Sequence, residues 1–303
     1  MSRLNSNELS WYEASARQRV QALADPGTFK EFIGPEQREV SPHLALFDLP
    51  EQFDDGIVVG IARLGGNKVL MAAQEGRFMG GAFGEVHGAK LTGLLRAARE
   101  LSLPVVIAFD TGGVRLQEAN AGEMAISEII REIVLARAQG LPVIGLIGGR
   151  AGCFGGGGLI AGCCSALIIS EQGRLSVTGP EVIETNRGAE EFDSRDRALV
   201  WRVTGGKHRY LIGGADLFVD DRADAFRQAA LKALARPAGI GVDLLAAEQA
   251  RLERRLERFG SLRDATDIWT ALGMTRPGAL PALATEPFLA EGEMKRETAD
   301  DAR

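Results

Sequence analysis

A chain of 303 residues, 45% apolar and 25% charged, has material for one large α/β domain with terminal additions and the composition of a folded globular protein. A formal charge of −6 and a pI near 5.3, with no long run of Lys and Arg, leave no electrostatic footprint for nucleic acid. Its three cysteines, Cys153, Cys163 and Cys164, are an odd number in one apolar stretch, which disfavours disulfides and zinc alike, and no metal is expected.

The start, Met1 to Asn7, is polar and has no apolar signal segment, so a cytoplasmic setting is expected. Glu8 to Ala24 predicts a helix stopped by Asp25-Pro26-Gly27, and residues 1–35 read as a helical arm. Ile57 to Ala62 and Lys68 to Ala73 are apolar runs around Gly65-Gly66-Asn67, the punctuation of a hairpin. From residue 88 helix and strand alternate. Leu91, Leu94, Leu95, Ala98 and Leu101 fall at helical spacing, as do Ile126, Ile129, Ile130, Ile133 and Val134. Pro104 to Phe109, Pro142 to Ile147 and Ala166 to Ile169 are short β-rich runs, which predicts parallel strands joined by crossovers and buried on both faces.

Ala151 to Ser170 is uncharged and about as long as a bilayer span, but its six glycines make a buried turn followed by a buried helix the expected structure, with no membrane partner. Ala223 to Leu234 and Leu244 to Phe259 predict helices, and Pro277 to Arg303 a loose tail. Residues 36–240 are read as the main domain and 241–303 as C-terminal helices with that flexible tail.

In parallel α/β structures ligands lie at the carboxyl ends of strands, which singles out the glycine-rich loops after Phe109 and Ile147. Thr111-Gly112-Gly113-Val114 and Gly155 to Gly158 can each present an unbonded backbone N–H, and two such turns can aim two donors at one oxygen. That suits a thioester carbonyl becoming an enolate or tetrahedral oxyanion, where each donor contributes about 2.7–4 kcal/mol of barrier lowering. The same glycines also serve tight turns and close helix packing, and phosphate binding is a third reading, although neither G-x-x-x-x-G-K-[ST] nor a clear G-x-G-x-x-G occurs. His43, His87 and His208 stand outside H-E-x-x-H or G-x-S-x-G settings and read as surface or structural; Cys163-Cys164 reads as packing, and Glu190-Glu191 and Asp220-Asp221 as solvated faces.

Several segments resemble the acyl-CoA carboxyltransferase branch of the crotonase superfamily. They run in order: Ala16-Arg17-Gln18-Arg19-Val20 with Asp25-Pro26-Gly27-Thr28-Phe29-Lys30-Glu31, Phe78-Met79-Gly80-Gly81-Ala82-Phe83-Gly84, Asp110-Thr111-Gly112-Gly113-Val114-Arg115-Leu116-Gln117-Glu118, Thr178-Gly179-Pro180-Glu181-Val182-Ile183-Glu184, and Gly214-Ala215-Asp216-Leu217-Phe218-Val219. Within the family the chain is most similar to the branch that decarboxylates malonyl thioesters without biotin, as its beta subunit.

The resemblance implies a crotonase-like ββα spiral and an oxyanion hole with Val114 and Gly157 as donors and Gly113 and Gly156 shaping the turns. It implies substrate contacts at Gly80, Gly81, Gly112, Arg115, Gly155, Gly158, Gly179 and Pro180. It also implies no directly bound cofactor, the malonyl group riding on the phosphopantetheine-type arm of an acyl carrier protein or on CoA. The partners implied are a homologous gamma subunit, an acyl carrier protein subunit and an acyl-carrier-protein transferase subunit. The position of a hydratase glutamate falls near Ile160, so hydration is not implied. Two alternatives stay open: the acyl-thioester half of a biotin-dependent acyl-CoA carboxyltransferase, and a non-catalytic scaffold for a carrier protein or partner. The absence of a four-cysteine ribbon and the single half-length unit favour the decarboxylase.

Overall fold

The apolar runs become the strands of one sheet. The computed structural model describes residues 9–37, 39, 41–47 and 55–297. Met1 to Asn7, Glu8 of the expected first helix and residues 298–303 of the expected tail lie outside the described residues. Seven strands stand side by side in chain order: β1 (Lys30–Phe32), β2 (Ile57–Leu64), β3 (Asn67–Gln74), β4 (Val105–Phe109), β5 (Val143–Ile147), β6 (Ala166–Ser170) and β7 (Leu217–Val219). The first three pair antiparallel and β3 to β7 pair parallel. Gly65 and Gly66 turn the β2–β3 hairpin with φ of 59° and 82°, a left-handed pair that glycine adopts without steric cost. The Asp25 carboxylate accepts both of their N–H groups, at 2.9 and 2.8 Å.

Eleven helices surround the sheet among the described residues: α1 (Ala16–Leu23), α2 (Glu85–Leu101), α3 (Ala121–Ala138), α4 (Gly156–Gly162), α5 (Pro180–Arg187), α6 (Arg197–Thr204), α7 (Gly206–Leu211), α8 (Ala223–Leu234), α9 (Val242–Phe259), α10 (Ala265–Ala271) and α11 (Thr285–Gly292). None is long and apolar enough to cross a membrane. The expected N-terminal helix starts later than its apolar pattern suggested, because Ser15 and Gln18 form a reciprocal capping box that fixes the first turn. Trp11 leaves the helix and stacks on Phe226 at 4.4 Å.

Alternation along each strand divides the core in two. Val58, Met71, Val106, Ile144 and Ile168 pack under Trp11, α1 and α8, while Ile57, Leu70, Ile107, Ile147 and Ile169 pack under α2, α3 and the C-terminal helices. Burial on both faces explains why these strands read as continuous apolar runs. A second set of pairings forms beyond the strand ends, where parallel bridges join Phe83 to Val114, Thr111 to Cys153 and Cys153 to Leu175. Core strand, bridging segment and helix therefore repeat along the chain as the turns of the expected ββα spiral.

The segment from Pro277 is not a loose tail as far as residue 297. Leu280 and Phe288 are buried at 1% and 0% exposure, and Phe288 closes an aromatic cluster with Phe218 at 4.7 Å and Tyr210 at 5.9 Å. Lys207 Nζ donates to the carbonyls of Pro281 and Leu283 at 2.8 and 2.6 Å, tying the segment to α7. Two apolar anchors among prolines, alanines and charges were too sparse to give a periodic signal. Phe288→Ala is expected to lower stability by about 3–5 kcal/mol through lost burial and an unfilled cavity, read as a lower urea midpoint at unchanged m-value.

Candidate active site

Both glycine turns are anchored on one buried carboxylate. Asp110, the first residue after β4, is 3% exposed; its side chain accepts from Arg19 Nη1 at 2.8 Å and from the Ala151 N–H at 2.6 Å. Its own N–H donates to Gln74 Oε1 at 3.1 Å. Gly76 and Gly149 lie so close to this carboxyl group that neither has room for a Cβ. The charge of Asp110 thus fixes the middle of α1 and the loops after β3, β4 and β5 against each other.

Backbone hydrogen bonds then stitch the turns together. Thr111 N–H donates to Gly152 C=O at 2.8 Å, Phe154 N–H to Thr111 C=O at 3.0 Å, and Gly112 N–H to Gly80 C=O at 2.8 Å. Gly113 at φ 137° and Gly155 at φ 55° face each other so closely that a Cβ on Gly155 would stand 3.1 Å from the Gly113 Cα. The two turns meet at their glycines.

Around that contact most N–H groups are already engaged. Gly113 donates to Thr111 Oγ1 at 3.1 Å, and Gly155 to Val177 C=O at 2.9 Å. In the bridge to Phe83 the bonds run from Phe83 N–H to Gly113 C=O and from Arg115 N–H to Phe83 C=O, so the half-buried Val114 turns its N–H away and makes no hydrogen bond among the described residues. Gly157 is buried and its N–H donates to Phe154 C=O at 3.0 Å; Gly158 shares that acceptor at 3.3 Å. Gly156, the first residue of α4, is half-buried and its N–H has no partner among the described residues. The open donor of the second turn is therefore Gly156, one residue before the expected Gly157. Phe154 C=O satisfies the next two N–H groups as the helix begins and leaves only the first one facing outward.

The remaining expected contacts divide. Gly80, Gly112, Gly155 and the Gly179-Pro180 start of α5 border the turns, the last through the Gly155–Val177 bond. Gly81 packs against the Asp110 carbonyl and Gly158 against the Ser176 carbonyl, where a Cβ would collide. Arg115 does not present its guanidinium to a ligand. It is 1% exposed, donates to Glu118 Oε1 at 3.1 Å and Asp55 C=O at 2.8 Å, and lies over the Phe78 ring at 5.3 Å. Burial pulls its pKa below the ordinary arginine value and Glu118 opposes that. The partner acid three residues on, within Arg115-Leu116-Gln117-Glu118, was the available signal for this internal role. Nothing local in the sequence pairs Arg19 with Asp110, 91 residues away.

His87 belongs to the same internal network. Its Nδ1 is 2.7 Å from Asp55 C=O and its Nε2 is 3.1 Å from Gln74 Nε2, so one ring nitrogen donates and the other accepts, as in a neutral imidazole. Lys90 Nζ holds the Asp55 carboxylate at 2.5 Å and the Ile57 carbonyl at 2.9 Å. Cys153 is buried and burial pushes its thiol pKa well up, as burial also raises Cys163 and Cys164, so packing is what these thiols do. Among the described residues no group of three or more His, Cys, Asp or Glu could hold a metal ion.

Sheet order, bridged spiral and paired glycine turns together define a crotonase-type α/β protein. The carboxyl transferase domain model matches residues 13–234, and the chain belongs to that family. It is 40% identical to the malonyl-S-ACP:biotin-protein carboxyltransferase of Malonomonas rubra, over 94% of this chain and 96% of that protein. A chain of the Pseudomonas malonate decarboxylase hetero-tetramer, solved with malonate, superposes with a TM-score of 0.77 at 39% identity, covering 87% of this chain and 97% of that one. A chain of the Pseudomonas MdcD-MdcE hetero-dimer of the same enzyme gives a TM-score of 0.65 at 36% identity, covering 86% and 100%. The resemblance read from the ordered motifs is borne out.

Burial, reinforced by Arg115 and Lys90, holds the His87 pKa well below 6.5 against the opposing pull of the Asp55 carbonyl. The unfolded chain therefore takes up this proton first, so the stability tied to a neutral His87 is present above pH 6.5 and lost as pH falls below it. By NMR the imidazole resonances of His87 are expected to show no inflection at the ordinary pKa of 6.5, and an inflection there would mean that the ring is exposed to water.

Proposed function

We propose that the chain is the beta subunit of a malonate decarboxylase. On this reading a malonyl thioester loses CO2 while its carbonyl oxygen is held by the N–H groups of Val114 and Gly156. The carbon–carbon bond to the carboxylate breaks, its electron pair moves into the thioester as an enolate, and the negative oxygen meets two donors that need no reorganisation. A proton delivered to the α carbon then yields the acetyl thioester. The observation that carries the reading is the pair of outward, unbonded N–H groups on two turns locked together at Gly113 and Gly155. The similarity over nearly the whole chain to proteins named for malonyl and malonate chemistry supports the substrate class.

The substrate arrives on the phosphopantetheine-type arm of an acyl carrier protein, with CoA as the simpler substitute, and no cofactor sits on this chain. A homologous gamma subunit completes the site, and an acyl-carrier-protein transferase subunit loads the carrier. Leu116, Met124, Leu159, Val177 and Val182, 47–85% exposed on and beside the two turns, suit a face covered by such a subunit. The Pseudomonas relatives are hetero-oligomers, which fits.

A second reading is carboxyl transfer from the malonyl thioester to a biotin protein, favoured by what the Malonomonas relative is named for. Both begin with the same enolate and differ in whether CO2 leaves or is captured. The complex of this chain with its gamma partner is expected to release CO2 from malonyl-carrier protein with no biotin protein present. Release that depends on a biotinyl acceptor selects transfer, and no turnover by an assembled complex selects the scaffold. Gly156→Pro removes the open donor, although its Cβ would stand 2.6 Å from Ile126 Cδ1, so fold and assembly of the variant are checked first. A fall in kcat of about 10²–10³-fold with little change in KM is expected of the assembled complex. Activity within about threefold of wild type in a folded, assembled variant would remove Gly156 from the mechanism.

A further inference from the structure

A side chain inside the first glycine turn decides how that turn is held. Thr111, the residue after Asp110, is fully buried, and its backbone is tied to the second loop: its N–H donates to Gly152 C=O at 2.8 Å and its C=O accepts from Phe154 N–H at 3.0 Å. Its methyl group occupies the space beside Gly157, where a Cβ would stand 2.4 Å from Cγ2. A β-branched side chain pinned at its backbone and at its methyl has little freedom left at χ1, so the hydroxyl points one way. It points at Gly113.

The hydroxyl meets Gly113 twice. Oγ1 accepts from the Gly113 N–H at 3.1 Å and donates to the Gly113 C=O at 3.2 Å, and that carbonyl also accepts from Phe83 N–H at 2.8 Å. Gly113 is buried, so its N–H requires an acceptor within the turn and has one in Thr111. The Gly113 carbonyl and the Val114 N–H belong to one planar trans peptide unit and point in opposite directions, so whatever holds the carbonyl also aims the donor. Gly113 stands at φ 137°, in a region that glycine enters and leaves freely, and a fixed direction there needs an outside clamp.

We infer that the Thr111 hydroxyl is a positioning group of the oxyanion hole: it holds the Gly113 peptide from both ends and so aims the Val114 N–H at the thioester oxygen. The hydroxyl acts through Val114 and not on the substrate. Its effect belongs to the step in which charge develops, because a donor aimed beforehand needs no reorganisation as the enolate forms. The role rests on the decarboxylase site proposed above and adds to it a side chain that works through the main chain.

Steady-state kinetics of the complex with its gamma partner on malonyl-carrier protein test this, with circular dichroism and co-purification checking the fold and assembly of each variant. Thr111→Val keeps the shape and the methyl but loses the hydroxyl, and kcat is expected to fall about tenfold or more with KM within about threefold of wild type. Thr111→Ser keeps the hydroxyl and is expected to hold kcat within about threefold, a rescue that a packing role would not give because serine fills less space than valine. Wild-type kcat in Thr111→Val overturns the role. So does a rise in KM at unchanged kcat, the mark of lost ground-state binding, or a kcat as low in Thr111→Ser as in Thr111→Val. If Thr111→Val does not assemble, Thr111→Ala against Thr111→Ser isolates the hydroxyl without the methyl, and equal kcat in that pair overturns the role. Gly156→Pro, measured alongside, separates the two proposals. A defect there beside wild-type kcat in Thr111→Val removes the role of Thr111 alone, whereas wild-type kcat in assembled Gly156→Pro removes the oxyanion hole and this role with it.

Discussion

The Arg19–Asp110 pair is the constraint on which the site depends. Removing either partner leaves a charge stranded among apolar side chains, a loss of about 3–5 kcal/mol for buried pairs in general and a large fraction of a domain's stability. Its position matters more than its energy. Asp110 lies where three strand ends converge, and Arg19 reaches it from the N-terminal helix while also donating to the Trp11 carbonyl at 3.0 Å. The arm is therefore part of the frame that holds the glycine turns in contact, and its packing against α8 transmits the stability of the sheet's far face to the site.

Much of this fold was legible. The hairpin at Gly65-Gly66, the β4, β5 and β6 runs and the stripe of α3 each carry a local periodic signal, and the structure places elements there. The missing parts share a cause. The late start of α1 depends on a reciprocal cap between Ser15 and Gln18, and the order of Pro277 to residue 297 depends on Leu280 and Phe288 finding Tyr210 and Phe218. Long-range contacts between sparse anchors leave no pattern within a short window.

The site shows the same division at finer grain. The two glycine turns stood out because glycine density marks where backbone must come close to backbone, and Gly113 against Gly155 is such a contact. Which N–H remains open is a different question. It is decided by a single carbonyl, that of Phe154, which engages Gly157 and Gly158 and passes over Gly156. No residue type announces that choice. Arg115 misleads for the opposite reason: its charge draws attention, while Glu118, the Asp55 carbonyl and the Phe78 ring consume it internally.

A donor supplied by a main-chain hydrogen has an unusual genetic signature. The N–H of Val114 is present whatever side chain the residue carries, proline excepted, so the donor itself tolerates wide variation. The intolerant positions are its supports: Gly81 and Gly149, crowded against Asp110, Gly155, crowded against Gly113, and Gly113 itself, held at φ 137°. A saturation map of this chain would therefore show immutable glycines around a more permissive Val114, the reverse of the pattern left by a side-chain nucleophile.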